Sequence, residues 1–112
     1  MRLGEIWLVN FPFTDGSSTK LRPVLSVSSD KFNVGGDAVV VPISSQVYAG
    51  DPFAYLLDPA MPAFRLAGLK TASSVKWTKP VTLAAKVFQR RLGHLSGKPL
   101  DEIRDLLRSV FS

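Results

Sequence analysis

Residues 6–11 (Ile-Trp-Leu-Val-Asn-Phe) are dense in branched and aromatic side chains and predict a strand, closed by Pro12 and the turn-prone run Thr14-Asp15-Gly16-Ser17-Ser18. Pro23 opens a second extended run at 24–28. Gly35-Gly36-Asp37 then turns the chain into a third at 38–41, whose unbroken apolar character predicts burial on both faces. Residues 53–57 form a fourth candidate strand, while Pro52, Pro59 and Pro62 exclude a helix across 58–63. Two more extended segments fall at 72–77 and 81–87, with Pro80 placing the start of the second at an edge or bulge. The period then changes. Leu100, Ile103, Leu106, Leu107, Val110 and Phe111 recur at helical spacing, with Pro99 suited to a first turn and Asp101 and Glu102 near the positive end of the helix dipole.

Strands first and one amphipathic helix last predict a β-dominated (α+β) domain: a small SH3-like barrel of five or six strands with the helix packed on it. At 112 residues the chain is one domain, 1–112, without internal repeats or linkers. A chain this short leaves much apolar surface uncovered, which favours a homodimer. Trp7 is expected in the core.

Charge narrows the partners. Fourteen Lys and Arg against nine Asp and Glu leave a net charge of +5, which favours encounter with phosphate-rich molecules but fits an acidic protein or anionic surface equally. The absence of cysteine removes disulfides, thiol nucleophiles and thiolate metal sites, and suits a reducing cytosol. No signal segment and no run of about 18 apolar residues is present, so a cytoplasmic, membrane-free protein is expected.

The single histidine, His94, lies between a predicted strand and the last helix and cannot by itself supply a histidine pair or a metal cluster. The nine acids are scattered without two-metal spacing, so neither metal nor other cofactor is expected. Two polar constellations remain. One is Lys20-Leu21-Arg22-Pro23, where proline stiffens the strand entrance and fixes Arg22 in extended backbone at the base of the first loop. The other is Pro42-Ile43-Ser44-Ser45-Gln46, where hydroxyl and amide groups emerge from a buried strand and can donate to a phosphate. Each alone reads equally as a surface cation and as turn chemistry. Phe11, Phe13 and Trp77 are candidates for stacking on bases, or for core or dimer contacts.

Taken together, Gly4-Glu5-Ile6-Trp7-Leu8-Val9, Phe11-Pro12-Phe13-Thr14-Asp15-Gly16, Arg22-Pro23-Val24-Leu25 and Pro42-Ile43-Ser44-Ser45-Gln46 closely resemble the MazF/PemK family of toxin endoribonucleases in order and spacing. The resemblance continues through Leu69-Lys70-Thr71-Ala72-Ser73-Ser74-Val75 and Arg91-Leu92-Gly93 to the C-terminal helix. It implies a barrel of the MazF/CcdB type, a homodimer with single-stranded RNA in a groove along its interface, and a cognate antitoxin that fills that groove, with DNA met only indirectly through the antitoxin complex. It implies cleavage by attack of the RNA 2'-hydroxyl on its own phosphate, leaving 2',3'-cyclic phosphate and 5'-hydroxyl ends without a metal.

By match to the family motif, Arg22 is the cation on the scissile phosphate. Ser44 stands where the family usually has threonine, keeping the oxygen and losing a methyl group. Phe13, Thr14, Lys20, Ser45, Gln46, Lys70, Ser74 and Lys76 complete the expected RNA contacts, the lysines by charge and region alone. Two segments depart from the family pattern: Ser17-Ser18-Thr19 where a glutamate is common, and Lys79-Pro80 where an acidic-Gln pair is common. Base specificity is therefore expected to differ. The competing readings are a non-catalytic RNA-binding or partner-binding module, and a gyrase-binding toxin of the same fold.

Overall fold

The computed structural model describes residues 1–11 and 20–112; the side chains of Phe11 and Lys20, and with them Phe13, Thr14 and the expected turn at 14–18, lie outside the described part. Seven strands and three helices follow in the order β1 (Glu5–Phe11), β2 (Lys20–Ser26), α1 (Asp30–Asn33), β3 (Asp37–Ser44), β4 (Tyr55–Leu57), α2 (Phe64–Ala67), β5 (Ser73–Val75), β6 (Val81–Ala84), β7 (Phe88–His94) and α3 (Lys98–Ser109) among the described residues. All ladders are antiparallel.

The long apolar strand β3 organises the molecule. Its first half pairs β6 along one edge, its middle pairs β2 along the other, and its last residues, Ile43 and Ser44, pair β5. Two sheets therefore share β3: β6-β3-β2-β1-β7 and β3-β5-β4. Among the described residues the ladders end at β4, β6 and β7 without closing, so the expected barrel is found as an open antiparallel arrangement with a C-terminal helix.

Alternation along the strands divides the interior as a period of two requires. Ile6, Leu25, Val41 and Ile43 enter the main core with Leu57, Val75, Trp77, Leu95 and, from α3, Leu100 and Ile103. Val9, Val24, Ala38, Val40 and Leu83 form a second core on the opposite face. Burial of β3 on both faces is what its unbroken apolar run predicted. Helix α3 carries Pro99 in its first turn and is tied down by Arg104, whose Nε donates to the Val27 carbonyl at 3.1 Å, and by Tyr55, whose hydroxyl donates to Glu102 at 3.0 Å.

Several expectations need correction. Trp7 is only half-buried; it packs edge-on to Phe88 at 5.8 Å beside the second core and donates its indole N–H to Glu5. The segment expected as one strand at 81–87 ends at Ala84, passes through a single 3-10 turn at Ala85–Val87 and continues as β7, so His94 closes a strand paired with Glu5 rather than standing between elements. The β1–β7 ladder shifts register twice, which erases clean alternation in Phe-Gln-Arg-Arg-Leu-Gly-His. The stripe on the last helix stops at Leu107: Val110 and Phe111 lie beyond α3 and are exposed. The short helices α1 and α2 were not expected, four residues being too few for a helical period to show.

Glu5 links the N-terminal corner to β7. Burial opposes its ionisation, but the Arg2 N–H, the Trp7 indole and the Arg91 guanidinium at 2.8 Å outweigh it and hold the carboxyl below the usual range. A depressed carboxylate pKa contributes stability above the unfolded value and loses it as pH falls through the folded one. Glu5→Gln is therefore expected to destabilise by about 1 kcal/mol at pH 7, a figure kept small by partial solvation. Chemical denaturation at several pH values should show this difference shrinking below about pH 4; a difference constant with pH contradicts the assignment.

Candidate functional site

The site begins where β3 leaves β2. Their ladder runs Ser26↔Val40, Leu25↔Val41, Val24↔Pro42 and stops, while β2 stays paired with β1 down to Lys20. Continued two steps, the register would set Arg22 opposite Ser44; instead Ser44 pairs Ser74 on β5 and the two strands part. Pro23, which has no N–H to give, sits at the parting point and is paired on the β1 side alone. Arg22 and Ser44 are thus brought to the two lips of one cleft by the geometry of the shared strand.

Two cavities occupy the cleft. One, of about 400 Å³, is lined by Arg22, Pro42, Ile43, Ser44, Ser45, Gln46, Lys76 and Lys79. The other, of about 470 Å³, lies against Leu8, Leu21, Arg22, Pro23, Ile43, Ser45, the segment Gly68 to Thr71, Ser73, Arg90 and Leu92. Arg22, Ile43 and Ser45 line both, so the cavities form one groove with Arg22 at its waist. Among the described residues five cations line it and no carboxylate does. With apolar walls below, such a groove concentrates positive potential and attracts an extended polyanion.

Ser44 is fixed by its own turn: its Oγ accepts the Gln46 N–H at 3.1 Å, which leaves the hydroxyl hydrogen as a donor. Lys76 lies across the groove; its backbone N–H donates to the Pro42 carbonyl at 2.8 Å and its ammonium stands 3.8 Å from Asp51. The second cavity owes its wall to a close backbone approach. Gly68, at φ 74°, ends α2 and lies against β7 at Leu92, and a Cβ on Gly93 would overlap the Leu66 carbonyl oxygen and come within 2.6 Å of that of Ala67. Only glycine permits this contact, which carries Leu69, Lys70 and Thr71 to the groove.

Of the residues expected from the sequence, Arg22, Ser44, Ser45, Gln46, Lys70 and Lys76 meet here. Ser74 lies beside Ser44 in register but is buried and lines neither cavity; among the described contacts it is a neighbour within the sheet rather than part of the wall. Phe13 and Thr14 lie outside the described residues, and Lys20 is seen only through its backbone pairing with Phe11. Trp77 is core, 7% exposed. Lys79 and Arg90 were missed: Lys79 stood as a departure from a pattern, and Arg90 lay in a strand that was not expected. Among the described residues no group of three or more His, Cys, Asp or Glu is placed to hold a metal ion, and no helix is long and apolar enough to cross a membrane.

A family model for the PemK-like, MazF-like toxin of type II toxin-antitoxin systems matches residues 2–111. The chain belongs to that family. Comparison with curated proteins by sequence finds no match. Solved structures share the toxin's fold: MazE-MazF (Form-II) from Deinococcus radiodurans at 23% identity and TM-score 0.78, covering 99% of this chain and 95% of that one; toxin MazF-mt6 of Mycobacterium tuberculosis at 20% and 0.72, covering 96% and 95%; and an endoribonuclease in complex with its cognate antitoxin from Mycobacterial species at 18% and 0.74, covering 99% and 94%. The match spans both lips of the groove, with Arg22 and Ser44, 22 positions apart in sequence, both inside it.

Proposed function

We propose that this PemK-like toxin is an endoribonuclease that cuts single-stranded RNA laid along the groove, with Arg22 on the scissile phosphate. The observation that carries the reading is the waist itself: a guanidinium and a positioned hydroxyl on facing lips, with cations on either side and no acid among the described lining residues. Single strands suit this groove because their bases can be splayed and their phosphates tracked one by one.

In the reaction the 2'-oxygen attacks the adjacent phosphorus as its proton passes to water. The P–O5' bond breaks, the leaving 5'-oxygen takes up a proton, and the ends are a 2',3'-cyclic phosphate and a 5'-hydroxyl. Arg22 offers paired donors in a fixed plane to the equatorial oxygens, whose charge grows in the transition state. Ser44 donates its hydroxyl hydrogen to the phosphate or orients the 2'-hydroxyl, and Gln46, whose N–H braces Ser44, reads a base or supports the turn. Lys70, Lys76, Lys79 and Arg90 hold flanking phosphates. No step is routed through a metal; among the described residues the groove walls carry no carboxylate, imidazole or thiolate.

The proposal extends to the assembly: a cytoplasmic homodimer whose groove is silenced by a cognate antitoxin, as the complexes with antitoxins among the solved relatives suggest. Incubation of the protein with mixed-sequence RNA in excess EDTA, followed by analysis of fragment ends, is the test. Discrete cuts ending in cyclic phosphate are expected. Intact RNA, or cuts that need added divalent metal, would sink the proposal.

A further inference from the structure

Beside the cavity of Ser44, Gln46 and Lys76, the chain runs through an exposed segment that the reaction does not use. Tyr48 is 64% exposed, and Phe53 is 62% exposed with its ring 6.4 Å from that of buried Trp77. The segment is nevertheless well braced. The Asp51 N–H donates to the Tyr48 carbonyl at 3.2 Å, the Asp51 carboxylate accepts the Phe53 N–H at 2.9 Å, and the same carboxylate stands 3.8 Å from the Lys76 ammonium. Lys76 in turn sits over the Tyr48 ring, 5.9 Å from its centroid. An exposed aromatic ring and the groove-lining cation over one of its faces are thereby held together, and Asp51 positions both.

We propose that Tyr48 is the stacking platform for one nucleobase of the bound RNA, next to the scissile phosphate on the side where Lys76 and Lys79 line the groove. The inference rests on the reading of the groove as an RNA site and names a base-contacting residue within it. The chemistry fits a nucleotide as a unit: its base lies on the phenol ring while its phosphate meets the Lys76 ammonium. An isolated phosphate would use only the cation, and an apolar peptide only the ring. Stacking accepts any base face, so Tyr48 fixes the path of the strand and the spacing of bases, with sequence preference left to the polar groups of Ser45 and Gln46.

The test is binding of a short 2'-fluoro oligonucleotide of mixed sequence, which lacks the attacking hydroxyl, followed by fluorescence anisotropy. Tyr48→Ala should weaken it by about 10-fold and Tyr48→Phe by less than about 2-fold, since the ring is what stacks. A single abasic nucleotide, moved along the oligonucleotide, should weaken the wild type by a similar factor at one position and leave Tyr48→Ala unchanged there. Tyr48→Ala binding as tightly as wild type, or every abasic position weakening both proteins alike, overturns the stacking role. Arg22→Ala in the same titration separates the two levels: if it weakens binding while Tyr48→Ala does not, the stacking proposal alone falls. If the wild type fails to bind, or Arg22→Ala binds as the wild type does, the groove reading falls with it.

Discussion

Arg22→Ala is expected to slow RNA cleavage by about 10³-fold while leaving the fold in place. The side chain is exposed and belongs to neither core, so its removal costs little stability. What is lost is a planar, permanently charged donor pair on the one cation shared by both cavities among the described residues. Arg22→Lys restores the charge but not the fork and should recover only part of the rate. Ser44→Ala should cost less, about 10-fold, because one hydroxyl donor is removed while the guanidinium stays. Single-turnover rates at saturating protein, with circular dichroism to confirm folding, measure all three. An Arg22→Ala protein as fast as wild type would place the chemistry elsewhere.

Gly93→Ala should have a large effect on stability. Its new methyl group would run into the Leu66 carbonyl oxygen and the Ala67 carbonyl, backbone atoms that can yield only by moving α2 away from β7. The cost is about 3 kcal/mol, or a fall in melting temperature on the order of 10 °C. Gly35→Ala is the control, since its Cβ would meet only the Phe32 carbonyl oxygen at an ordinary 3.5 Å; it should change stability by less than about 0.5 kcal/mol. Equal melting temperatures for the two variants would show that the α2–β7 contact is not tightly packed.

The same contact shows why part of the site was hidden in the sequence. Runs of branched and aromatic side chains made β1, β2 and β3 legible, and the 3.6-residue stripe of Leu100, Ile103, Leu106 and Leu107 made α3 legible, because in each the burial pattern follows the sequence pattern. Strand β7 was not legible. Two register shifts against β1 break its alternation, and Gln89, Arg90 and Arg91 are exposed, so nothing in their order signals a strand. Arg90 reaches the groove only because that strand exists. Lys79 is next to a proline in an irregular segment, where charge alone gives no direction.

The placement of Arg22 and Ser44 at one cleft was foreseen for a different reason. Neither residue announces a site, but proline beside a cation and hydroxyls at the end of a buried strand each mark where a ladder stops. That the two strands stop against each other is a tertiary fact, supplied before the structure only by resemblance to a family. Ser74 illustrates the limit of such transfer: its place in the motif matches, yet its side chain is 3% exposed within β5. A match of position does not fix what a side chain touches.

The proposed reaction uses the RNA's own 2'-hydroxyl as nucleophile, aligned in a groove by guanidinium and hydroxyl donors without a metal. The most direct measurement replaces the single nucleotide 5' of a mapped cut by its 2'-deoxy form and repeats the digestion in EDTA. Loss of that one cut, with neighbouring cuts and binding unchanged, is the predicted result. Continued cleavage at the deoxy position would mean that water or a protein group attacks the phosphate, and would contradict the mechanism assigned to Arg22 and Ser44.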